Sequence, residues 1–186
     1  KLEVAISFCE QGYDFSYHDL FILKSELNFY KNKTKSFQVE LPIFDNFIQL
    51  GNMISTSSVV VNATLIKQID GFSEDRNLIA CEDFDCWIRL SKITENFKYI
   101  PIVLGNYWGG GGNFSSAKLS LIHLKYFKDI YINPFIEKNN SEVPIWWIYL
   151  YARALYINGD VFKARNILRT LIKQKIPFII RLKSYY

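Results

Sequence analysis

Apolar and polar positions change rhythm several times along this chain. Leu2, Val4, Ile6 and Phe8 alternate with small or polar residues, which is the period of a half-buried strand. From Tyr13 to Gln49 no period is sustained, which predicts a hairpin and a loop with one short helix near residues 44–50. Val59 to Val61 reads as a buried strand entering a helix that ends at Gly71, where a left-handed cap fits. Phe84, Trp87, Ile88 and Ser91 then fall at i, i+3, i+4 and i+7, one face of a helix. Phe97 to Leu104 predicts a further strand, at a sheet edge because Pro101 cannot donate to a ladder.

Beyond Ala117 the pattern turns helical. Leu119 to Ile132 is amphipathic and Pro134 is expected to end it. Pro144 opens a second helix with Trp146 and Trp147 that reaches Gly159. Asp160 caps a third, in which Val161, Ala164, Leu168, Leu171 and Ile172 share a face. The predicted fold class is therefore α/β, with the strands confined to residues 1–116. Residues 117–186 form an α-helical extension whose last two helices look like a tetratricopeptide-type hairpin. One such hairpin is no array, because repeats need neighbours to bury their faces. Packing against the α/β part is the first expectation for it and homodimer formation through the helical tail the second.

Composition narrows the class. With 49% hydrophobic and 17% aromatic residues in 186, the chain can bury a sizeable core and is not of the disordered type. Cys9, Cys81 and Cys86 are an odd set without a disulfide framework, which suggests a reducing compartment. With only His18 and His123 to help, Cys81 and Cys86 read as buried thiols rather than zinc ligands. No apolar run approaches the ~20 residues of a membrane-spanning helix. The net charge of +4 hides an asymmetry, since Lys163, Arg165, Arg169, Lys173, Lys175, Arg181 and Lys183 face Asp160 alone. That run fits either an anionic membrane surface or a solvated basic face. Nucleic acid is not expected as a partner, because no recognition motif accompanies the charge.

The densest chemistry lies in Cys81-Glu82-Asp83-Phe84-Asp85-Cys86-Trp87. Asp83 falls at the N-cap or first turn of the predicted helix, where backbone N–H groups and the helix dipole favour a carboxylate. It can be a cap, or a fixed general base. Asp83-Phe84-Asp85 also spells a possible pair of hard metal ligands, ranked below the cap and base readings. Gly109 to Gly112 can serve as a phosphate-cradling loop or a passive linker, and Trp108 can stack on a sugar or pack in the core.

In order and spacing, the segments Asn52 to Val61, Ala63 to Phe72, Glu82-Asp83, Tyr99-Ile100-Pro101, Leu104 to Tyr107 and Gly109 to Ser115 resemble the second half of family 2 glycosyltransferases. The resemblance covers residues 1–116 and is most specific from Asn52 to Trp87. It implies a GT-A type fold in which Asp83 is the base that deprotonates an acceptor hydroxyl during inverting transfer. Glu82 would raise its basicity or orient it. Substrate contacts are implied at Asn52, Thr56, Ser57, Trp87, Trp108 and Asn113.

The chain departs from that family's pattern in two places. Tyr107-Trp108-Gly109-Gly110 stands where many relatives carry an Arg and a His. An opening strand with a nucleotide-binding loop, and an Asp-x-Asp at a strand end, are not found. The chain is therefore expected to be the C-terminal portion of a larger enzyme, inactive alone. The divalent cation (Mn²⁺ or Mg²⁺) of the complete enzyme would be held by ligands outside it.

The function so implied is transfer from a nucleotide-sugar donor to a glycan or glycolipid acceptor in bacterial-type surface polysaccharide synthesis. Its place would be cytoplasmic, peripheral at the inner face of the plasma membrane. The alternatives are a non-catalytic helical module acting through residues 118–186, and a metal-dependent hydrolase using Asp83 and Asp85.

Overall fold

The structure is a computed structural model that describes residues 1–23, 32–34, 36–109 and 117–173. It is mixed α/β and falls into two compact units. The first comprises Lys1–Phe47, Asn52–Ser73 and Glu82–Asn113; the second comprises Ile48–Gly51, Glu74–Cys81 and Phe114–Tyr186. The helical unit thus takes in two short segments from the α/β half of the sequence, so a single cut at residue 116 does not describe the division.

The first unit is organised by one strand, β1 (Phe15–Leu23). β4 (Phe97–Trp108) runs parallel to it in register Phe15↔Phe97 to Leu23↔Trp108. The other edge of β1 is shared by two short antiparallel partners. β2 (Asn32–Lys33) pairs at Phe21↔Lys33 and β3 (Val60–Val61) at Phe15↔Val61. Because β1 is covered on both faces, its residues Phe15 to Leu20 are all buried, including Ser16, His18 and Asp19. Such a strand shows no alternation, which is why the sequence from Tyr13 onward reads as irregular. β4 runs past Pro101 rather than stopping near Leu104. His18 pairs with Ile100 and Asp19 with Val103, so Pro101 and Ile102 sit in a bulge where a missing N–H does no harm.

The opening segment is a helix, α1 (Leu2–Glu10), and not the strand its alternation suggested. Val4, Ala5, Phe8 and Cys9 form its covered face, at helical spacing, while Leu2 and Ile6 stay exposed. Period 2 and period 3.6 overlap over so few residues, and tertiary burial chose the second. Gly12, at φ +94°, closes the helix through its N–H to the Cys9 carbonyl (3.0 Å).

α2 (Ile43–Leu50), α3 (Ala63–Gln68) and α4 (Glu82–Leu90) complete the elements that begin before β4. Aromatic rings hold this unit together. Phe15 stacks on Phe97 (4.4 Å between centroids, 20° between planes) and meets Trp87 of α4 edge-on at 4.8 Å. Phe47 touches both Phe84 and Phe97 at 5.9 Å. These rings bury large apolar area in the offset and edge-to-face geometries aromatic pairs favour.

In the second unit α5 (Ala117–Phe127) does not end before Pro134. It passes through a π-helical turn (Lys128–Ile132) into α6 (Asn133–Asn139), and Asn140 in the left-handed region terminates it. The wider turn lets Pro134 enter in the first turn of a new helical segment, where its missing N–H is not needed. α7 (Ile145–Ile157) and α8 (Val161–Lys173) form the expected hairpin, with Asp160 Oδ1 accepting from the Lys163 N–H at 3.3 Å. Trp147 Nε1 donates to the Leu124 carbonyl and Trp146 Nε1 to the Ile48 carbonyl, each at 2.8 Å. Among the described residues, no helix is long and apolar enough to cross a membrane.

Two substitutions test this packing. Phe15→Ala should cost about 3–5 kcal/mol in urea unfolding, the range for a fully buried aromatic. Gly51 has φ +82°, and a Cβ there would lie 2.8 Å from Trp146 Cδ2. Gly51→Ala should therefore lower stability by about 1–3 kcal/mol, from overpacking and backbone strain together.

Candidate functional site

Asp83 lies in the first turn of α4, half-buried. The helix is seated by Phe84, Trp87, Ile88 and Leu90, all buried, so its N-terminal turn has a fixed place against the segment 52–58. That segment is folded on itself. Asn52 Oδ1 accepts from the Ile54 N–H (3.0 Å), and Ser58 bonds back to the Ser55 carbonyl through N–H (2.8 Å) and Oγ (2.6 Å). The result is a tight 3-10 turn at Thr56–Ser58 with Ser58 buried.

Three donors converge on the Asp83 carboxylate. Thr56 Oγ1 donates to Oδ2 at 2.8 Å and the Phe84 N–H to Oδ1 at 2.6 Å. The third is the Asn52 side chain. Its Oδ1 is an acceptor from Ile54, so it is the amide NH₂ that faces Asp83. Burial pushes the Asp83 carboxyl above its ordinary 3.8, and the neighbouring charge of Glu82 adds to the rise; the hydrogen bonds from Thr56, Phe84 and Asn52 work against it. Glu82 itself is exposed beside it. Such a carboxylate is oriented, reachable and more basic than one in water, which is what proton abstraction asks of it.

The other expected contacts fare unequally. Ser57 is exposed next to Thr56, and its carbonyl accepts from Lys1 Nζ at 2.7 Å. Trp87 must be corrected. It is 1% exposed, wedged between Phe15 at 4.8 Å and Phe72 at 5.8 Å, and belongs to the core rather than to a ligand surface. Trp108, at the end of β4, is 53% exposed, so its indole face is available. Asn113 and Gly110 to Gly112 lie outside the described residues, as does the basic-aromatic run from residue 174 onward.

The reading of Asp85 as a second metal ligand fails on geometry. Asp85 is 3% exposed and its Oδ2 lies 2.6 Å from Arg89 Nη2. The same guanidinium donates to the Ile69 carbonyl through Nη1 and to the Gly71 carbonyl at 2.8 Å through Nη2. Asp85 and Arg89 therefore tie α4 to the end of α3. Their i, i+4 spacing was the sequence signal for this role. Among the described residues, no group of three His, Cys, Asp or Glu is arranged to hold a metal ion. The Cys86 thiol is buried and pushed up to about 11 by that burial, so it stays protonated and inert.

Sequence reasoning missed the polar interior of β1. Asp19 Oδ2 accepts from Tyr99 Oη (2.8 Å) and Lys33 Nζ (3.2 Å). His18 donates from Nδ1 to the Asp19 carbonyl (2.7 Å), and burial lowers its pKa and keeps it neutral. These residues stand in a strand that the pattern did not reveal. In comparisons with family models, curated proteins and solved structures, none matches this chain.

Two further outcomes are expected. Arg89→Ala takes the cation away from a buried carboxylate and a donor from two carbonyls, and should cost about 3–5 kcal/mol in chemical unfolding. Arg89→Lys should recover little of it, because an ammonium cannot span the three acceptors. Asp83→Asn should leave the melting temperature unchanged or higher at neutral pH. The sign follows from the raised pKa: ionising Asp83 opposes folding above that pKa, and the penalty fades as pH falls toward 3.8 and the folded state takes up its proton. The gap between variant and parent should narrow accordingly in melts run down the pH scale. A large destabilisation of the Asn variant would mark Asp83 as a structural cap.

Proposed function

We propose that this chain carries the acceptor side of an inverting, nucleotide-sugar-dependent glycosyltransferase of GT-A type. Asp83 is its general base. The single observation that supports this most is the half-buried carboxylate gripped by Thr56, Asn52 and the Phe84 N–H. A sugar hydroxyl attacks an anomeric carbon only as its proton is taken away, and a carboxylate whose basicity is raised by burial suits that task. The order of segments from Asn52 to Trp87 supports the same class. In this reading the donor diphosphate and its Mn²⁺ or Mg²⁺ are held by the nucleotide-binding half of the complete enzyme, where the metal offsets leaving-group charge. The acceptor is a glycan or glycolipid hydroxyl.

Thr56 is then a positioning residue rather than a substrate contact, and Asn52 shares that work. Ser57, Glu82 and Trp108 remain candidate contacts for the sugars, Trp108 through stacking on a pyranose face.

With UDP-sugars and Mn²⁺ as probes, Asp83→Asn in the complete enzyme should cut turnover at least ~100-fold, the scale of general-base loss, with donor binding retained. Near-normal turnover would sink the assignment. The rate should rise with pH as Asp83 loses its proton, along a limb lying above the ordinary 3.8. Thr56→Val removes a hydrogen bond that holds the pKa down, so the limb should move to higher pH while the fold is kept. A limb that stays in place would remove Thr56 from this role.

A further inference from the structure

The closed end of the α7–α8 hairpin carries apolar side chains with no core to enter. Phe162 is 79% exposed, Ile157 58% and Tyr156 46%. All three lie within one turn of Asn158-Gly159-Asp160, Tyr156 and Ile157 in the last turn of α7 and Phe162 in the first turn of α8. Large aromatics exposed to this degree on a small helical tip are not needed for the fold, whose α8 contribution comes from the opposite face, where Ala164 and Leu171 are buried.

Apart from Asp160 in the turn itself, the charge around them is positive. Phe162, Arg165 and Arg169 follow at i, i+3 and i+7, exposed on one stripe of α8, with exposed Lys163 beside it and exposed Arg153 on α7. From Ile145 to Tyr186 the sequence holds eight Lys and Arg against one acid, Asp160, within a chain whose net charge is only +4. The remainder is therefore net acidic. The positive charge has been gathered at the end of the chain that also exposes its aromatics.

We propose that the α7–α8 tip is a docking surface for an anionic lipid bilayer. Phe162, Ile157 and Tyr156 enter the headgroup boundary while Lys163, Arg165, Arg169 and Arg153 meet lipid phosphates. Aromatic side chains at such a boundary keep one part apolar and one part wet. Each cation near the surface adds an attraction that salt screens. Apolar side chains ringed by Lys and Arg fit an anionic lipid surface, which takes the apolar groups at the headgroup boundary and the cations at its phosphates. This inference does not depend on the transferase reading, since it uses no residue of the Asp83 site.

The full chain should co-sediment with phosphatidylcholine vesicles containing phosphatidylglycerol at low salt, lose most of that binding at high salt, and ignore pure phosphatidylcholine. Lys163→Glu, Arg165→Glu and Arg169→Glu combined should weaken binding at least ~tenfold, given the attraction expected per cation. Phe162→Ser with Ile157→Ser should weaken it several-fold while leaving the salt dependence. All five positions are outside the core, so unchanged circular dichroism and melting would separate lost binding from lost fold. Equal binding to both vesicle types, no binding at low salt, or variants that bind as the parent does would each overturn the proposal. A dimer in sedimentation velocity that Phe162→Ser with Ile157→Ser dissociates would instead assign the tip to a second copy of the chain.

Discussion

Everything in the α/β unit depends on the ring of Phe15. It stacks on Phe97 across the parallel pair of β1 and β4, and its edge meets Trp87, which carries α4. One side chain thus couples the two long strands to the helix whose first turn bears Asp83. A second, polar tie runs from the same helix through Asp85 and Arg89 to the end of α3. Between an apolar tie on one face and an ionic tie on another, α4 has little freedom to rotate. That immobility fixes the backbone of Asp83, and the hydrogen bonds from Thr56, Asn52 and the Phe84 N–H then orient its carboxylate.

The site works against the stability of its own unit. Burial makes the Asp83 charge unwelcome, and three donors only partly offset it. β1 adds a comparable burden, with buried Ser16, His18 and Asp19 in its middle. In Asp19 one carboxylate oxygen is served by Tyr99 and Lys33 while the other, buried, has no hydrogen-bond partner among the described residues. Polar groups held in a strained account of this kind are expected where selection acts on something other than the core. The aromatic cluster around Phe15 supplies the surplus that tolerates them.

Legibility in the sequence followed the physics of each element. α4 and α8 were readable because one face is apolar at helical spacing, and α7 because Pro144 and Gly159 bound it. Asp83, Asn52 and Thr56 were named from the sequence, and the fold gathers them, although Thr56 and Asn52 act on Asp83 itself. α1 was misread because Leu2 and Ile6 fit an alternation that burial then ignored. The hairpin expected between Tyr13 and Gln49 is there in β1 and β2, but the bounds of β1 and its polar interior were not legible, because a strand covered on both faces has no period. The fate of Pro134 was hidden for another reason: a π-helical turn is a property of backbone register, which side-chain pattern does not encode. Trp87 was placed on a ligand surface because an aromatic close in sequence to a candidate carboxylate looks alike whether it faces inward or outward.

The parallel pairing of β1 with β4 also sets the order in which this chain can assemble. Its partners, Phe15 with Phe97 through Leu23 with Trp108, are separated by the whole stretch that holds α2, α3 and α4. No local turn can bring them together, so the chain must close a long loop before the contacts that reward closure exist. The α7–α8 hairpin carries no such handicap, because its helices are neighbours joined by Asn158-Gly159-Asp160. The hairpin, although it follows both strands in the chain, can therefore close without waiting for them. The setting of Asp83, in turn, depends on α4 packing against Phe15, and so on a strand that finds its long partner only across that distant closure.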